Sequence, residues 1–279
     1  MPLAALIATP LFIAAGGALL IAGGALAIAT PNPLRALKRH GHPTDDGIPT
    51  EHITLSDGST AWLTGAHHPQ DALAVCLAHG RSRDKSYLRP LIAALTPLAP
   101  VLAFDFPGHG ERGFGRTSLG HHEAATVTAA LEALAARYPR ILCYGASMGG
   151  AATLLSQAEN PHPAVQAIIT DGTFATVEQV VQAARPRYLP APAGRLALHL
   201  AGRIARYDPQ AVRPVDAAGD LRVPLHVLHG DHDPLVPLVA AHQLAEAAGT
   251  QPTIYPGAHD QPQNLHLQAH VQALVAQYL

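Results

Sequence analysis

Charge is the first thing this chain is short of. Asp, Glu, Lys and Arg make up 14% of its 279 residues, against roughly 25% in an average soluble domain. Disordered chains combine high charge with low hydrophobicity. With 48% hydrophobic residues this one has ample material for a buried core. Lysine is nearly missing, since only Lys38 and Lys85 stand among the 18 basic residues. A net charge of −2, with no basic run interleaved with aromatics, excludes a nucleic-acid surface. Cysteine is scarce too. Cys76 and Cys143 alone cannot make a disulfide framework, and each sits in an apolar run where a buried free thiol is expected. Histidine is abundant at 18 residues. Yet pairs such as His67-His68 and His121-His122 lack a Cys or carboxylate at metal-ligand spacing. Neither a metal nor an organic cofactor is expected.

The N-terminus lacks charge altogether. From Leu3 to Ala29 nearly every residue is apolar or glycine. As a helix rising ~1.5 Å per residue, this stretch reaches ~40 Å, enough for a hydrocarbon core of ~30 Å. Pro10 would kink it, which membrane helices tolerate. Arg35, Lys38 and Arg39 follow the apolar run, and the positive-inside rule then places the remainder of the chain in the cytoplasm. The expectation is a transmembrane anchor over residues 1–30, with the lipid membrane as its partner, and a linker over 31–50. Two alternatives stand beside it. A cleaved signal peptide, with Ala25-Leu26-Ala27 or Ala27-Ile28-Ala29 as the small-residue site, would give an exported protein. Against it, no basic residue precedes the run, which also exceeds the usual h-region of about 7–15 residues. A helix apolar on all sides could otherwise be buried against protein.

Beyond residue 50, short β-type runs alternate with helical ones. Glu51–Leu55 and Thr60–Gly65 flank the turn signal Ser56-Asp57-Gly58 and read as an antiparallel hairpin. Strands are expected at Ala74–Ala78, Val101–Phe106, Ile141–Tyr144, Val165–Thr170, Leu225–Leu228 and Thr253–Tyr255. Helical spacing marks Tyr87–Leu98, Glu123–Tyr138, Ala151–Ala158, Val239–Ala247 and His266–Tyr278. An α/β fold follows: a mostly parallel sheet with an antiparallel start and helices on both faces. An insertion at 174–222 carries the apolar helical stretches Val177–Ala184 and Leu196–Ile204, which either cap a site or complete the helical layer.

Gly145-Ala146-Ser147-Met148-Gly149 is a G-x-S-x-G pentapeptide placed where a strand ends and a helix begins. Such a turn exposes a serine Oγ and aims backbone N–H groups at a developing oxyanion. Two further segments follow in the order Ser, acid, His. Val227–Pro237 is an apolar strand entering an acidic loop, and Ile254–Asp260 is a strand ending in a loop histidine. Asp171, after the preceding strand, is a rival acid. The loop with Gly230, Pro234 and Val236-Pro237 favours Asp233, and Asp171 is expected to shape its turn through backbone hydrogen bonds. His109, in the turn Asp105–Gly110, reads as structural. Gly108–Gly113 satisfies G-x-G-x-x-G without the helix that a dinucleotide site needs. Asp231 and Asp260 read as solvated loop residues.

From about residue 50 to the end, these motifs resemble the α/β-hydrolase superfamily, and within it membrane-anchored bacterial hydrolases with D-x-x-G-H-G-x-S and G-x-S-M-G-G. Arg112 departs from the first pattern, where Ser is usual. The resemblance implies a catalytic triad of Ser147, Asp233 and His259. It also implies an oxyanion hole from the backbone N–H groups of Arg81, after His79-Gly80, and Met148, and sheet neighbours for the two cysteine strands. It implies a carboxylesterase or lipase-like serine hydrolase acting on a small acyl substrate. An acyltransferase or peptidase with the same triad, or a non-catalytic membrane-anchored scaffold, are the alternatives.

Overall fold

The computed structural model describes residues 17–32, 40–113, 115–186 and 189–279. Its centre is an 8-stranded sheet in the order β1-β2-β4-β3-β5-β6-β7-β8. The strands are β1 (Thr50–Thr54), β2 (Thr60–Thr64), β3 (Leu73–Ala78), β4 (Val101–Phe104), β5 (Arg140–Ala146), β6 (Val165–Asp171), β7 (Leu225–Gly230) and β8 (Thr253–Tyr255). β1 and β2 are antiparallel, and β3 to β8 run parallel. β1 lies at the edge and is half solvated, whereas every residue of β3 is buried. A central parallel strand is covered on both faces and so tolerates no polar alternation.

The two faces are read from β3 at a period of two residues. Ala74, Cys76 and Ala78 enter one core with α3 (Glu123–Ala135), α4 (Met148–Glu159), α7 (Pro214–Gly219) and α8 (Leu238–Ala247). Leu73, Val75 and Leu77 enter the other with α2 (Arg89–Leu95) and α9 (Leu265–Tyr278). Cys76 and Cys143 are buried free thiols opposite one another on β3 and β5. Burial pushes the Cys76 thiol up to about 12, which makes it inert.

The insertion divides its work. α7 completes the helical layer, while α5 (Val177–Ala184) and α6 (Ala191–Ala205) lie over the carboxyl ends of the strands as a cap.

The N-terminus departs from expectation. Among the described residues no helix is long and apolar enough to cross a membrane. Leu3 to residue 16, and the cations Arg35, Lys38 and Arg39, lie outside the described residues. The described part of the apolar stretch, residues 17–29 (α1), is a helix docked on the cap, with Ala25 and Ala29 buried against Phe174, Ala197 and Leu198. Within that described part Ala25 and Ala29 find apolar cover from protein, while Leu19, Leu20 and Leu26 remain exposed. Part of the expected linker is also tied down, because Arg89 holds Asp46 at 2.5 Å from the short 3₁₀ turn Pro43–Asp46.

Candidate active site

Ser147, Asp233 and His259 stand in the loops that leave β5, β7 and β8 at one end of the sheet, the end where open α/β sheets bind ligands. Ser147 occupies the turn between β5 and α4 at φ 50° and ψ −115°, a strained conformation for a residue with a side chain. The turn is held from both sides: Ser147 N–H donates to the Asp171 carbonyl at 2.8 Å, and the Thr173 hydroxyl donates to the Ser147 carbonyl at 3.3 Å. Close packing demands the glycine that follows, since a Cβ on Gly149 would strike the Ala78 carbonyl of β3. The strain thus aims the Ser147 side chain out of the sheet and into a cavity.

His259 joins the other two. Its Nε2 lies 3.0 Å from Ser147 Oγ, and its Nδ1 lies 2.6 Å from Asp233 Oδ2. Asp233 Oδ1 accepts from the N–H groups of Leu235 at 2.8 Å and Val236 at 2.9 Å, which fixes the carboxylate plane. Burial disfavours the charge on Asp233, but the His259 bond and the two N–H donors outweigh it and hold its pKa below the ordinary range. Burial likewise favours a neutral His259 ring. Asp233, with the negative charges of Asp260 and Asp171 behind it, prevails and raises its pKa above 6.5.

Gly172 makes the meeting possible. It sits at φ 55°, and a Cβ there would approach His259 Nδ1 to 3.1 Å and Asp233 Oδ2 to 3.2 Å.

Asp171 is not in this line, nor does its side chain shape the turn through backbone donors. Its carboxyl accepts from the hydroxyls of Tyr255 at 2.8 Å and Tyr144 at 3.2 Å. Burial raises its pKa to about 7. His109 is buried and structural, with Nδ1 bonded to the Pro107 carbonyl at 3.0 Å and a pKa lowered to about 4 by burial. His79 bridges the loop after β3 to that after β4. Its Nδ1–H donates to the Gly80 carbonyl at 2.8 Å, and its Nε2 accepts from Phe106 N–H at 3.1 Å.

Arg81 and Met148 both line the cavity beside Ser147. Among the described residues neither backbone N–H has an acceptor, so both are free to face an oxyanion. Sequence reasoning assigned nothing to the Arg81 side chain. It is half-buried, and its guanidinium donates to the carbonyls of Ala27 and Thr30 at the end of α1.

Asp260 is the clearest miss. Asp231 is exposed as expected, but Asp260 is 4% exposed, at φ 51°. Its Oδ2 lies 3.5 Å from Arg83 Nε, and its Oδ1 has no partner among the described residues. Position +1 to a loop histidine carries no signal of burial. The Tyr87 hydroxyl, 173 residues away in sequence, donates to its carbonyl at 2.6 Å.

Among the described residues no group of three or more His, Cys, Asp or Glu side chains could hold a metal ion. The cavity over Ser147 and His259 has a volume of about 750 Å³ and is bounded by α1, α5 and α6. Chemically, the arrangement can pass a proton from a hydroxyl to an imidazole steadied by a carboxylate, beside two free N–H donors, under apolar cover.

No protein-family model matches this chain, and no curated protein matches it. Solved structures do. An esterase of Pyrococcus furiosus is 18% identical over 89% of this chain and 98% of its own, with a TM-score of 0.70. The enol-lactonase of Burkholderia xenovorans is 19% identical over 82% of this chain and 99% of its own, with a TM-score of 0.58. An esterase from a Rhodococcus species is 17% identical over 81% of this chain and 98% of its own, also at 0.58. At such identities the likeness is one of architecture, and in architecture the assignment is plain: this chain has the α/β-hydrolase fold.

Proposed function

We propose that this chain is a serine hydrolase that cleaves acyl esters. The observation that carries the reading is the continuous hydrogen-bonded line from Asp233 through His259 to Ser147, opening on a largely apolar cavity. Ser147 Oγ attacks the acyl carbon while His259 Nε2 takes its proton. Asp233 keeps the other proton on Nδ1 and stabilises the imidazolium. The carbonyl oxygen, now an oxyanion, is held by the N–H groups of Arg81 and Met148, where one such donor is typically worth ~3 kcal/mol. The imidazolium returns its proton to the leaving alkoxide. Water, deprotonated by the same ring, then releases the acid from the acyl-enzyme. That the similar structures include two esterases and a lactonase agrees with this chemistry.

The test is a fluorophosphonate probe on the full chain, with the adduct mapped by mass spectrometry, beside a panel of acyl esters. A single adduct on the Ser147 peptide with ester turnover is expected. An adduct on Ser82 would remove Ser147 from the role. No adduct and no turnover would favour the non-catalytic scaffold.

The raised pKa of His259 has a sign that can be checked. The base must be neutral to accept the Ser147 proton, and a raised pKa keeps it protonated to higher pH. The acidic limb of kcat/KM, which reports the free enzyme, is therefore expected to have its midpoint above 6.5. In Asp260→Asn a neighbouring negative charge is lost, and the midpoint should move down. A limb at or below 6.5 in the wild type would contradict the charge arrangement described here.

A further inference from the structure

The docked helix α1 is the part of the chain that the proposed reaction leaves unused, and it forms one side of the cavity. Leu20, Ile21, Gly24, Ala27 and Ile28 line the space that contains Ser147 and His259. Their spacing places them along one stripe of the helix. Ala25 and Ala29, on the adjoining stripe, pack into the cap. Gly24 brings α1 close to α6, where a Cβ on it would lie 3.6 Å from that of Ala197. Opposite α1, the cap presents Val180, Val181 and Ala184 from α5 and Ala193 from α6.

The cavity therefore has two unlike ends. Asn32, Ser82, Arg83 and Asp260 are grouped near Ser147, joined by the Asn32 N–H to Ser82 Oγ bond at 2.7 Å and the Arg83–Asp260 pair. Between α1 and the cap the lining is mainly aliphatic, with Arg185 at the end of α5 its one charged side chain among the described residues. About 750 Å³ falls within the ~300–1,000 Å³ of sites that enclose drug-sized ligands, and an acetyl group would leave most of it empty.

A second set of contacts fastens this wall to the reacting end. The last carbonyls of a helix lack intrahelical partners and attract a cation. Arg81 supplies one, bonding the carbonyls of Ala27 and Thr30. Thr117 N–H donates to the Ala29 carbonyl at 2.9 Å. The residue that clamps α1 is thus the one whose backbone N–H is proposed to face the oxyanion.

We infer that α1 is a wall of an acyl-chain site, and that the substrate is an ester of a medium-length aliphatic acid whose chain lies between α1 and the cap. This inference rests on the ester-hydrolase reading of Ser147, and its test separates the two.

The full chain is assayed on p-nitrophenyl esters from acetate to dodecanoate. kcat/KM is expected to climb by up to about fourfold per added methylene until the slot is full. Ile28→Trp, which fills the slot, should lower the octanoate-to-acetate ratio by about fifteenfold if it blocks a depth of two methylenes. Ile28→Ala, which deepens the slot, should move the optimum to longer chains, and it carries the test if the tryptophan variant fails to fold. Binding is read separately by calorimetry of decanoate with Ser147→Ala, where adding Ile28→Ala or Ile28→Trp should change affinity in the same direction as the ratios. Ester turnover whose chain-length profile, like decanoate binding, ignores both Ile28 changes would overturn the wall and leave the hydrolase reading standing. Decanoate binding that responds to Ile28 in a protein that hydrolyses no ester would do the reverse.

Discussion

Asp233→Asn is expected to lower kcat by up to ~10⁴ while the protein stays folded. Asp233 Oδ2 holds the proton on His259 Nδ1 at 2.6 Å and so leaves Nε2 free to accept from Ser147 Oγ at 3.0 Å. An asparagine amide in its place can donate to Nδ1, which shifts the ring proton to Nε2 and removes the base. The backbone donors of Leu235 and Val236 still find the amide oxygen, so the loop keeps its shape. Asp171→Asn should behave oppositely. That carboxyl is fully enclosed and receives two tyrosine hydroxyls, and an asparagine NH₂ facing one of them would turn that O–H away and leave it without its acceptor. A buried unsatisfied donor costs roughly 1–3 kcal/mol, so thermal stability should fall while kcat changes far less. Turnover and melting temperature of the two variants, measured together, decide the matter. Loss of turnover in Asp171→Asn with activity kept in Asp233→Asn would transfer the acid's role to Asp171.

Asp105→Ala is expected to cost about 3–5 kcal/mol, a large share of the ~5–15 kcal/mol typical of folded proteins. Lys85 is 1% exposed, and its ammonium lies 2.6 Å from Asp105, which is wholly buried. Asp105 also accepts from Lys85 N–H at 2.8 Å and Glu111 N–H at 2.9 Å, joining the loop after β3 to the loop after β4. Removing the carboxylate leaves a buried cation and two N–H donors without it. Glu111, 3.0 Å from the ammonium and partly exposed, softens the loss toward the lower figure. Burial disfavours the charge on Asp105, but Lys85 and its hydrogen bonds prevail and hold its pKa below 3.8. The depressed pKa means that this stabilisation is present above the unfolded value and is lost as pH falls through the folded one. Urea unfolding at neutral pH measures the cost. A loss under about 1 kcal/mol would show that water reaches Lys85.

Much of the architecture can be read locally. The strands and helices announce themselves by periods of 2 and 3.6 residues, and the turn at Ser147 by glycines that its packing requires. The loops of Asp233 and His259 were recognisable because each follows a short apolar strand and carries its own turn residues. That those two side chains meet at 2.6 Å is a property of β7 and β8 lying side by side, which no local pattern states.

Pairings across distance were not legible. Nothing near Lys85 in sequence signals Asp105, and nothing near Asp171 signals Tyr144 and Tyr255. Asp260 looks like any polar loop residue until the Tyr87 hydroxyl and Arg83 are brought to it. The N-terminal stretch shows the limit most sharply. The apolar run alone predicts a helix through residues 17–29 and a drive to take its side chains out of water, since the hydrophobic effect depends on apolar area and not on direction. Lipid or protein would satisfy that demand equally. Which of its side chains meet protein is set in three dimensions: the aliphatic faces of α5 and α6, the small residues at Gly24 and Ala197, and the guanidinium of Arg81 converge on this helix from distant parts of the chain, burying Ala25 and Ala29 and leaving Leu19, Leu20 and Leu26 exposed.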